Sequence, residues 1–334
     1  MDKELTLDDY DIMKTLGQGQ FGKVYKVKRK GDRPEDPPIA LKVIDIEPRQ
    51  QNIIDNTENE VKRLKELSNP DCNPFVICYY NSYHYDTEKY EEPITRFLIE
   101  MELVDGVEMD EYVKKLWREK SEEMVYYYLL LIAKDILQGL AYTHDNNIIH
   151  NDIKLENIMI DKNNIPRIVD YGLACTMNGS LDLDKLYTKY CKSNGGTPDY
   201  VPPEFLNQRT RLPASDLWAL GIGLYIAATK NGYPYDIDEY TGIEEVFTKI
   251  QDDIPAKLNT SNDQLNSLVN GLLTKDPANR LTVEEGLELL DNIPKPGSRV
   301  PAPEITATSI QTEIGSFQDM QPTKRQMMSS FILM

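Results

Sequence analysis

The sequence predicts an α+β fold of two lobes, a small sheet-rich lobe with one helix followed by a larger, mainly helical lobe. Short apolar runs typical of strands fill the first third of the chain, and helical periods replace them from Glu108 onward. The segment 124–140 is apolar on nearly every face, which indicates a buried central helix. We therefore expect an N-terminal lobe at residues 1–104 and a C-terminal lobe at 105–292.

Apolar runs predict the strands of the small lobe at residues 12–16, 24–27, 39–44, 76–80 and 96–101. The helix between the third and fourth strands is predicted from Val61, Leu64 and Leu67, which recur at three-residue spacing. Between Pro70 and Thr95 the chain is polar and irregular in places. We expect a solvated loop there, with an acidic hairpin at 86–92.

The last part of the chain, residues 293–334, is rich in Pro, Ser, Thr and Gln and holds few charges. This composition indicates a mobile tail. Its end, 331–334, is apolar enough to dock, but we expect it to fray.

The charge balance is strongly acidic, with 37 Lys and Arg against 55 Asp and Glu and a formal net charge of −18. This balance excludes bulk nucleic-acid binding, which needs a basic surface along the phosphate backbone. The acidic N-terminus lacks the apolar core of a secretory signal, and the longest apolar stretch, 124–133, is too short to span a bilayer. The four cysteines show no C-x-x-C spacing, so we expect free thiols in an intracellular protein, cytoplasmic or nuclear.

Three glycines, Gly17, Gly19 and Gly22, stand between two β-rich runs, in a pattern that lets backbone amides approach phosphate oxygens. The same pattern opens dinucleotide-binding folds, but it leads into a helix there, whereas Val24 continues here as a strand. An ordinary glycine-rich hairpin is the alternative interpretation.

A lysine inside an apolar strand, Lys42, either reaches solvent or needs a buried anionic partner. Glu60 precedes the apolar stripe of the predicted helix, so its carboxylate can lie at the edge of the core. Glu58 is the competing partner, and the spacing to Leu64 favours Glu60.

The segment 150–157 carries the strongest chemical signal. Asp152 can accept a hydroxyl proton, Lys154 can neutralise a transferring phosphoryl group, and Asn157 can bind a metal ion. Asp170 follows an apolar strand and supplies a second oxygen ligand for a hard divalent cation. The segment 150–157 and the segment around Asp170 would each fit a capped turn if taken alone. Their occurrence together, in this order and after the glycine loop and the lysine, favours phosphoryl transfer.

Taken in chain order, these motifs resemble those of the eukaryotic-type protein kinase family over residues 10–292. The resemblance also rests on Pro-Pro-Glu ending at Glu204, Asp-x-Trp-x-x-Gly beginning at Asp216, and the late Arg280. It implies the protein kinase-like fold, a small antiparallel β-sheet lobe with one key helix plus a larger, mainly α-helical lobe. It also implies protein substrates and the cofactors ATP and Mg²⁺, with Mn²⁺ as a substitute metal.

The resemblance assigns a role to each motif residue. Lys42 would pair with the α- and β-phosphates and with Glu60. Asp152 would be the catalytic base, and Lys154 would contact the γ-phosphate. The magnesium ligands would be Asn157 and Asp170. The nucleotide-binding residues would be Leu16, Gly17, Gly19, Gly22, Val24, Ala40, Lys42, Met101, Glu102, Val104, Glu108 and Met159.

The segment 196–204 resembles the peptide-positioning loop of protein kinases, which small-molecule phosphotransferases lack. Lys154 together with Thr197, placed to hydrogen-bond it and Asp152, is typical of the serine/threonine branch. By resemblance, Glu204 and Arg280 would form a buried ion pair, and Asp216 would brace the catalytic loop. The residues with a structural role would be His150, Tyr171, Glu204, Asp216 and Arg280.

Three carboxylates, Glu108, Glu156 and Asp199, lie where relatives that prefer basic substrates contact arginine. With Thr197, Glu156 and Asp199 are the expected substrate-positioning residues. They predict a modest preference for basic residues before the acceptor, and the acidic field of the whole chain favours cationic proteins in the same direction. Solvated carboxylates on an acidic surface are the alternative, and Ile226 stands where such relatives place another glutamate.

Three residues depart from the family pattern, and one of them, Pro202, replaces the alanine of Ala-Pro-Glu without touching the phosphoryl-transfer groups. Asn151 replaces the arginine that normally pairs with a phosphorylated activation-loop residue, so we expect activity without that phosphorylation. Tyr171 replaces phenylalanine and needs a hydrogen-bond partner if it is buried.

Two functional classes fit these motifs. One is a serine/threonine protein kinase, and the other is a catalytically silent pseudokinase or nucleotide-binding scaffold on the same fold. Retention of all five groups that position and neutralise the phosphates favours the enzyme; they are Lys42, Glu60, Asp152, Asn157 and Asp170.

Overall fold

The computed structural model describes residues 5–19, 22–177, 191–192, 195–237, 241–296 and 331–332. Its first lobe contains five strands, β1 (Tyr10–Gly19), β2 (Gly22–Arg29), β3 (Ile39–Ile46), β4 (Tyr79–Lys89) and β5 (Glu92–Met101). They form one sheet in the order β1-β2-β3-β5-β4, and every neighbouring pair is antiparallel. The prediction of a small antiparallel sheet lobe is confirmed.

The central strand β3 is buried along most of its length because both faces of the sheet are covered. Leu41 and Val43 pack with Leu98 on one face. Ile44 and Ile46 lie in the main core on the other face, which is covered by the helix α1 (Gln51–Leu67). Side chains alternate along a strand, so Lys42 shares the face of Ile44 and points toward this helix.

The helix α1 buries a single stripe of side chains, Thr57, Glu60, Leu64 and Leu67. Their spacing of three and four residues places them on one face of an α-helix. Leu64 and Leu67 belong to the main core, so the packing of this stripe fixes the position of Glu60 below the sheet.

The expectation of a solvated loop at residues 70–95 is wrong, but the hairpin expected at 86–92 is present, because Lys89 at the end of β4 pairs with Glu92 at the start of β5. Val76 forms a parallel bridge to Ile168 and Ile77 donates its backbone N–H to the Ile168 carbonyl, so this apolar run joins the second lobe. The polar stretch after it is not a loop but most of β4, paired with β5 along its whole length. An edge strand tolerates polar side chains because one side and one face meet water.

The second lobe begins at residue 106 and is mainly helical. Its helices are α2 (Met109–Glu119), α3 (Glu122–Asp145), α4 (Pro203–Gln208), α5 (Pro213–Ala228), α6 (Ile243–Asp252), α7 (Asp263–Leu272) and α8 (Val283–Leu289). Its strands are short: β6 (Gly106–Glu108), β7 (Ile148–Ile149), β8 (Ile158–Asp161), β9 (Pro166–Ile168), β10 (Cys175–Thr176), β11 (Cys191–Lys192), β12 (Gly195–Gly196), β13 (Thr210–Arg211) and β14 (Phe331–Ile332).

The core of this lobe is built around α3 and α5. In the part of the chain that the structure describes, α3 alone is long and apolar enough to cross a membrane by length and composition. It packs against α5, α8 and β9, and its apolar residues belong to the main core. The length and apolarity of α3 are therefore those of a buried core helix, as the sequence predicts.

Short two- and three-stranded pairings hold the loops between the helices. The strands order as β6-β8-β9, β10-β7, β11-β13 and β12-β14. The C-terminal end was expected to fray, but in the pair β12-β14 Phe331 pairs with Gly196 and Ile332 with Gly195. The two glycines offer backbone groups for this pairing without side chains of their own.

The cysteines also differ from expectation. Instead of free thiols, the structure contains two disulfides, Cys72–Cys78 and Cys175–Cys191. The Cα atoms of the pairs are 5.4 Å and 6.2 Å apart, within the usual range for a disulfide. The sequence spacing gave no sign of the second pair because the fold brings together two short strands that the chain separates.

Candidate active site

A cleft of about 1390 Å³ lies between the sheet and the helical lobe. Every expected nucleotide-binding residue lines this cleft, namely Leu16, Gly17, Gly19, Gly22, Val24, Ala40, Lys42, Met101, Glu102, Val104, Glu108 and Met159. Of the other predicted site residues, Glu60, Lys154, Glu156, Asn157, Asp170, Tyr171, Thr197 and Asp199 line it as well. The fold thus gathers residues from most of the chain around one cavity.

The glycine loop is the hairpin between β1 and β2, where Gly19 pairs with Gly22. A Cβ added at Gly17 or Gly19 would meet nothing within 4 Å, so both backbones border open space. Gly22 has φ of +134°, and a Cβ there would lie 2.3 Å from the Val43 carbonyl oxygen. Only glycine fits this position, which sets the hairpin close to the central strand.

Lys42 and its partner Glu60 are buried, whereas its second partner, Asp170, is exposed and lines the cleft. The Lys42 Nζ is 2.6 Å from Glu60 Oε1 and 3.1 Å from Asp170 Oδ1. Glu58 is exposed on the opposite side of α1, so Glu60 is the partner. A lysine ammonium held between two carboxylates is fixed in position and faces the cleft.

The charges of this group depend on one another. Burial alone would lower the pKa of Lys42, but the carboxylates of Asp170 and Glu60 raise it above its usual range. The Lys42 ammonium in turn lowers the pKa of Asp170, and burial raises the pKa of Glu60. Lys42 is therefore a permanent cation and Asp170 a permanent anion at neutral pH.

The loop between β7 and β8 presents Asp152. Asp152 Oδ1 accepts hydrogen bonds from the Thr197 backbone N–H at 3.1 Å and from the Thr197 hydroxyl at 2.7 Å. Lys154 Nζ lies 3.1 Å from Asp152 Oδ2 and 3.0 Å from Thr197 Oγ1. The Asn157 amide donates to the Asp152 carbonyl and to Oδ2, at 2.8 and 2.9 Å. Asp152 is thereby held in one orientation with a cation beside it.

A buried aspartate on α5 supports this loop from below. The carboxylate of Asp216 accepts the backbone N–H groups of His150 at 2.9 Å and Asn151 at 2.8 Å, and it contacts His144 Nε2 at 2.9 Å. Burial alone would raise the pKa of Asp216, but these hydrogen bonds, first that of His144, hold it below its usual range. Asp216 therefore fixes the backbone just before Asp152.

The aromatic residue beside Asp170 is fully buried. The Tyr171 hydroxyl lies 3.0 Å from Thr143 Oγ1, which supplies the hydrogen-bond partner that the sequence requires. Its ring makes an edge contact with His150, with 4.6 Å between the centroids. His150 also contacts the Val169 carbonyl through Nε2 at 3.0 Å. Tyr171 and His150 thus connect the segment of Asp170 to the loop of Asp152.

The donor set fits a hard divalent cation with phosphate oxygens completing its shell. Asp170 has a φ of 62° and lies in the left-handed region. Two residues later, a Cβ added at Gly172 would lie 3.3 Å from Asp170 Oδ1, so the backbone of Gly172 borders this carboxylate closely. The Asn157 amide nitrogen donates to Asp152, so the amide oxygen of Asn157 is the atom that could bind a metal ion. The described residues contain no group of three or more His, Cys, Asp or Glu that could hold a metal, and a divalent cation bound by these two oxygens would need further oxygens from a ligand.

Acidic side chains gather at the mouth of the cleft near the start of α2. The pKa of Glu108 is raised by burial and then by Glu156, Asp110 and Glu111. Burial likewise raises the pKa of Glu156, whose Oε2 is buried and has no hydrogen-bond partner among the described residues. These carboxylates repel one another, and two cations partly offset the repulsion: Lys114 lies 2.8 Å from Asp110, and Lys154 acts against the raised pKa of Glu108 and Glu156. Asp199 lines the same cleft, and its backbone carbonyl accepts a hydrogen bond from Tyr233.

The two remaining predicted structural residues meet away from the cleft. Arg280 Nη1 and Nη2 each lie 2.9 Å from an oxygen of Glu204, in a bidentate pair. The side chain of Arg280 is fully buried and that of Glu204 is 9 % exposed. This pair ties the start of α4 to the chain just before α8.

Sequence reasoning missed three residues at this site. Asp110 and Glu111 line the cleft, but they look like ordinary acidic residues in the first turn of a helix. Arg211 is almost fully buried, donates to the Gly195 carbonyl at 2.6 Å and lies 3.7 Å above the Phe205 ring. Burial lowers the pKa of Arg211 to about 10. No local pattern marks it, because its surroundings come from distant segments.

Comparison with known proteins matches residues 10–289 to the protein kinase domain. The chain is 30 % identical over 285 residues to a probable serine/threonine-protein kinase nek2 of Dictyostelium discoideum, covering 84 % of this chain and 62 % of that protein. It is 28 % identical over 298 residues to the human serine/threonine-protein kinase Nek5, covering 86 % and 37 %. It is 29 % identical over 283 residues to protein kinase C-like 1 of Saccharomyces cerevisiae, covering 84 % and 22 %. The chain thus spans only part of the length of these relatives.

Proposed function

The chain belongs to the protein kinase family, and on this premise we propose that it is a serine/threonine protein kinase. It would transfer the γ-phosphate of ATP to serine or threonine hydroxyls of protein substrates, with Asp152 as the catalytic base. The single observation that carries the proposal is that two charged side chains are each held in place by neighbours that line one cleft. Lys42 is held by Glu60 and Asp170, and Asp152 is held by Thr197 and Asn157.

The alternative is a pseudokinase that binds nucleotide or acts as a scaffold. A scaffold does not require a base with a cation beside it. In this chain Lys154 lies within 3.1 Å of Asp152, and both contact Thr197. This arrangement serves proton removal and charge neutralisation, and it favours the enzyme.

Different residues of this chain would carry out the separate parts of the reaction. The backbone of the glycine hairpin and the Lys42 ammonium would bind and orient the phosphates. Asp152 would accept the proton of the acceptor hydroxyl while Thr197 keeps its carboxylate oriented. Lys154 would balance the charge that develops on the transferring group. Phosphoryl transfer needs positioning and charge neutralisation more than covalent help, and these residues supply both.

Protein kinases use ATP and Mg²⁺, and we propose the same cofactors here, with Mn²⁺ as a substitute. Asn157 and Asp170 would hold the metal, which when bound neutralises charge on the phosphates. Adenine would lie against Val24, Ala40 and Met159, which line the cleft. Leu16 and the residues 101–104 would close its other sides.

Radiolabel transfer from ATP to a generic basic protein tests the proposal. We expect transfer by the wild-type chain and loss of the signal in both Asp152→Ala and Asp170→Ala. An Asp145→Ala variant changes an exposed carboxylate at the end of α3 and should keep the signal. Transfer that survived both site variants would refute the assignment.

We further propose a preference for basic residues before the acceptor. The unpartnered Glu156 Oε2, close to Glu108 and Asp110, would be satisfied by an arginine of the substrate. Arginine at these positions should raise kcat/KM by about tenfold, the value of one charged hydrogen bond. Because the pKa values of Glu108 and Glu156 are raised, the preference should weaken as the pH falls through them.

Peptide arrays on wild type and Glu156→Gln check this preference. The variant should lose the gain from arginine, whereas Glu119→Gln, an exposed carboxylate at the end of α2, should keep it. No gain from upstream arginine in the wild type would dispose of the idea.

We also propose activity without activation-loop phosphorylation. Asn151 is neutral, and its amide donates to the Leu173 carbonyl, so it cannot neutralise a phosphate. Phosphatase-treated protein should therefore retain its turnover in the peptide assay. Loss of turnover that a phosphate on Thr188 or Ser193 restores would contradict this; both residues lie outside the described part of the chain.

The remaining sequence expectations stand as proposals. We place the lobes at residues 1–104 and 105–292, because β5 ends at Met101 and β6 begins at Gly106. We propose an intracellular location, cytoplasmic or nuclear, without membrane insertion. We propose no nucleic-acid partner, since the chain carries a formal net charge of −18 and would repel the phosphate backbone.

A further inference from the structure

We propose that Cys175 and Cys191 form a reversible oxidation site, whose disulfide holds the peptide-positioning segment against the catalytic loop. This inference rests on the proposed kinase function. It assigns the oxidised form, with the disulfide intact, as the form in which an acceptor peptide is positioned best.

The disulfide joins two strand pairs that flank the catalytic loop. Cys175 on β10 pairs with Ile149 on β7, directly before His150 and Asp152. Cys191 on β11 pairs with Arg211 on β13. Each pairing has only two residues in each strand, so hydrogen bonds alone hold it weakly. The covalent bond therefore adds the main restraint between the two pairs.

A chain of contacts leads from Cys191 to the catalytic base. Arg211, opposite Cys191, donates to the Gly195 carbonyl at 2.6 Å. Gly195 is followed by Gly196 and Thr197, and Thr197 donates to Asp152 twice. A Cβ at Gly196 would lie 2.6 Å from Arg211 Nη2, which shows how closely Arg211 packs on this segment. Movement of β11 would thus displace the residue that orients Asp152.

Asn151 connects the disulfide to the catalytic loop itself. Its amide nitrogen lies 2.9 Å from Cys175 Sγ and 2.9 Å from the Leu173 carbonyl oxygen. The residue has φ of 69°, which asparagine tolerates better than most side chains. The neutral amide thus contacts a sulfur atom of the disulfide and connects the catalytic loop to this covalent restraint.

The burial of the two cysteines suits a two-step oxidation. Cys175 is partly exposed, and Cys191 is 3 % exposed. The Cys175 thiol would lose its proton and attack hydrogen peroxide as the thiolate, breaking the O–O bond; the departing hydroxide takes up that proton, giving a sulfenic acid and one water. The Cys191 thiol would then attack that sulfur, forming the S–S bond and releasing a second water. Two thiols lose two electrons and two protons, and one peroxide becomes two waters; a dithiol reverses the change by exchange.

The second disulfide provides a matched control. Cys72 and Cys78 lie between α1 and β4, and Cys72 is exposed. The Cys78 carbonyl accepts the Glu102 backbone N–H, and in the described part of the chain no hydrogen bond joins this pair to β10, β11 or Asn151. Cys72→Ser removes a disulfide while leaving the proposed oxidation site intact.

The experiment uses the full chain as wild type, Cys175→Ser, Cys191→Ser and Cys72→Ser. Each is oxidised with hydrogen peroxide or reduced with dithiothreitol, and peptide mapping without reductant records the Cys175–Cys191 bond. We expect reduction to lower kcat/KM for the peptide by about 10- to 100-fold in wild type and Cys72→Ser, with KM for ATP unchanged. Cys175→Ser and Cys191→Ser should show the low value under both conditions.

Equal peptide kinetics in the oxidised and reduced wild type would overturn the inference, as would failure of peroxide to form the bond. Amide hydrogen exchange of Gly195 and Arg211 tests the oxidation site without an activity assay, so its failure can be distinguished from failure of the proposed kinase function. If neither form transfers phosphate, the proposed kinase function fails. Slower exchange in the oxidised form then supports the oxidation site, and equal exchange overturns it.

Discussion

Replacing Asp152 with asparagine is expected to lower kcat by about 10²- to 10⁴-fold while KM for ATP stays unchanged. Asparagine has nearly the same shape but cannot accept the proton of the acceptor hydroxyl. Asp152 contacts Thr197, Lys154 and Asn157, and it is not among the residues lining the cleft. Steady-state kinetics with a peptide and ATP measure both constants.

The matched variant for this prediction is Asp145→Asn, an exposed aspartate at the end of α3. It should leave kcat unchanged. A loss of less than about tenfold in Asp152→Asn would show that Asp152 is not the general base. A large rise in KM for ATP would instead indicate a role in binding nucleotide.

Replacing Arg280 with leucine is expected to lower the free energy of unfolding by about 3–5 kcal/mol. The substitution leaves the Glu204 carboxylate, 9 % exposed, without its bidentate partner. It also removes the donors to the carbonyls of Ala214 and Thr274. Urea-induced unfolding followed by circular dichroism measures the loss.

A surface pair is the control for this prediction. Arg33 and Asp36 are 2.8 Å apart, with exposed fractions of 73 % and 31 %, so Arg33→Leu should leave the free energy of unfolding nearly unchanged. The double variant Glu204→Gln with Arg280→Leu should recover part of the loss, because no buried charge is left alone. Equal costs for Arg280→Leu and Arg33→Leu would contradict the buried ion pair as a stabilising element.

Features that depend on local pattern could be predicted from the sequence. The core strands β3 and β5 and the stripe of α1 follow from apolar side chains at fixed spacing. The partner of Lys42 follows from the same reasoning, since a helix period decides between Glu58 and Glu60. The predicted site residues were found because they stand in or beside short motifs, whereas Asp110 and Glu111, which also line the cleft, stand in none.

Features that depend on tertiary contacts could not be predicted. The edge strand β4 is polar, and only side chains such as Tyr83 and Tyr85 pack on the core, so it resembles a loop. The Cys175–Cys191 pair and the burial of Arg211 arise where β11 meets β13, segments that lie far apart in the chain. Spacing alone contains no information about such meetings.

The central claim is that this cleft transfers phosphate to protein hydroxyls, and an unbiased peptide-library assay with ATP and Mg²⁺ tests it most directly. Wild-type protein should produce phosphoserine and phosphothreonine, and Asp152→Ala should produce neither. ATP binding by wild type without any phosphopeptide would contradict the claim and leave the nucleotide-binding scaffold as the function of this chain.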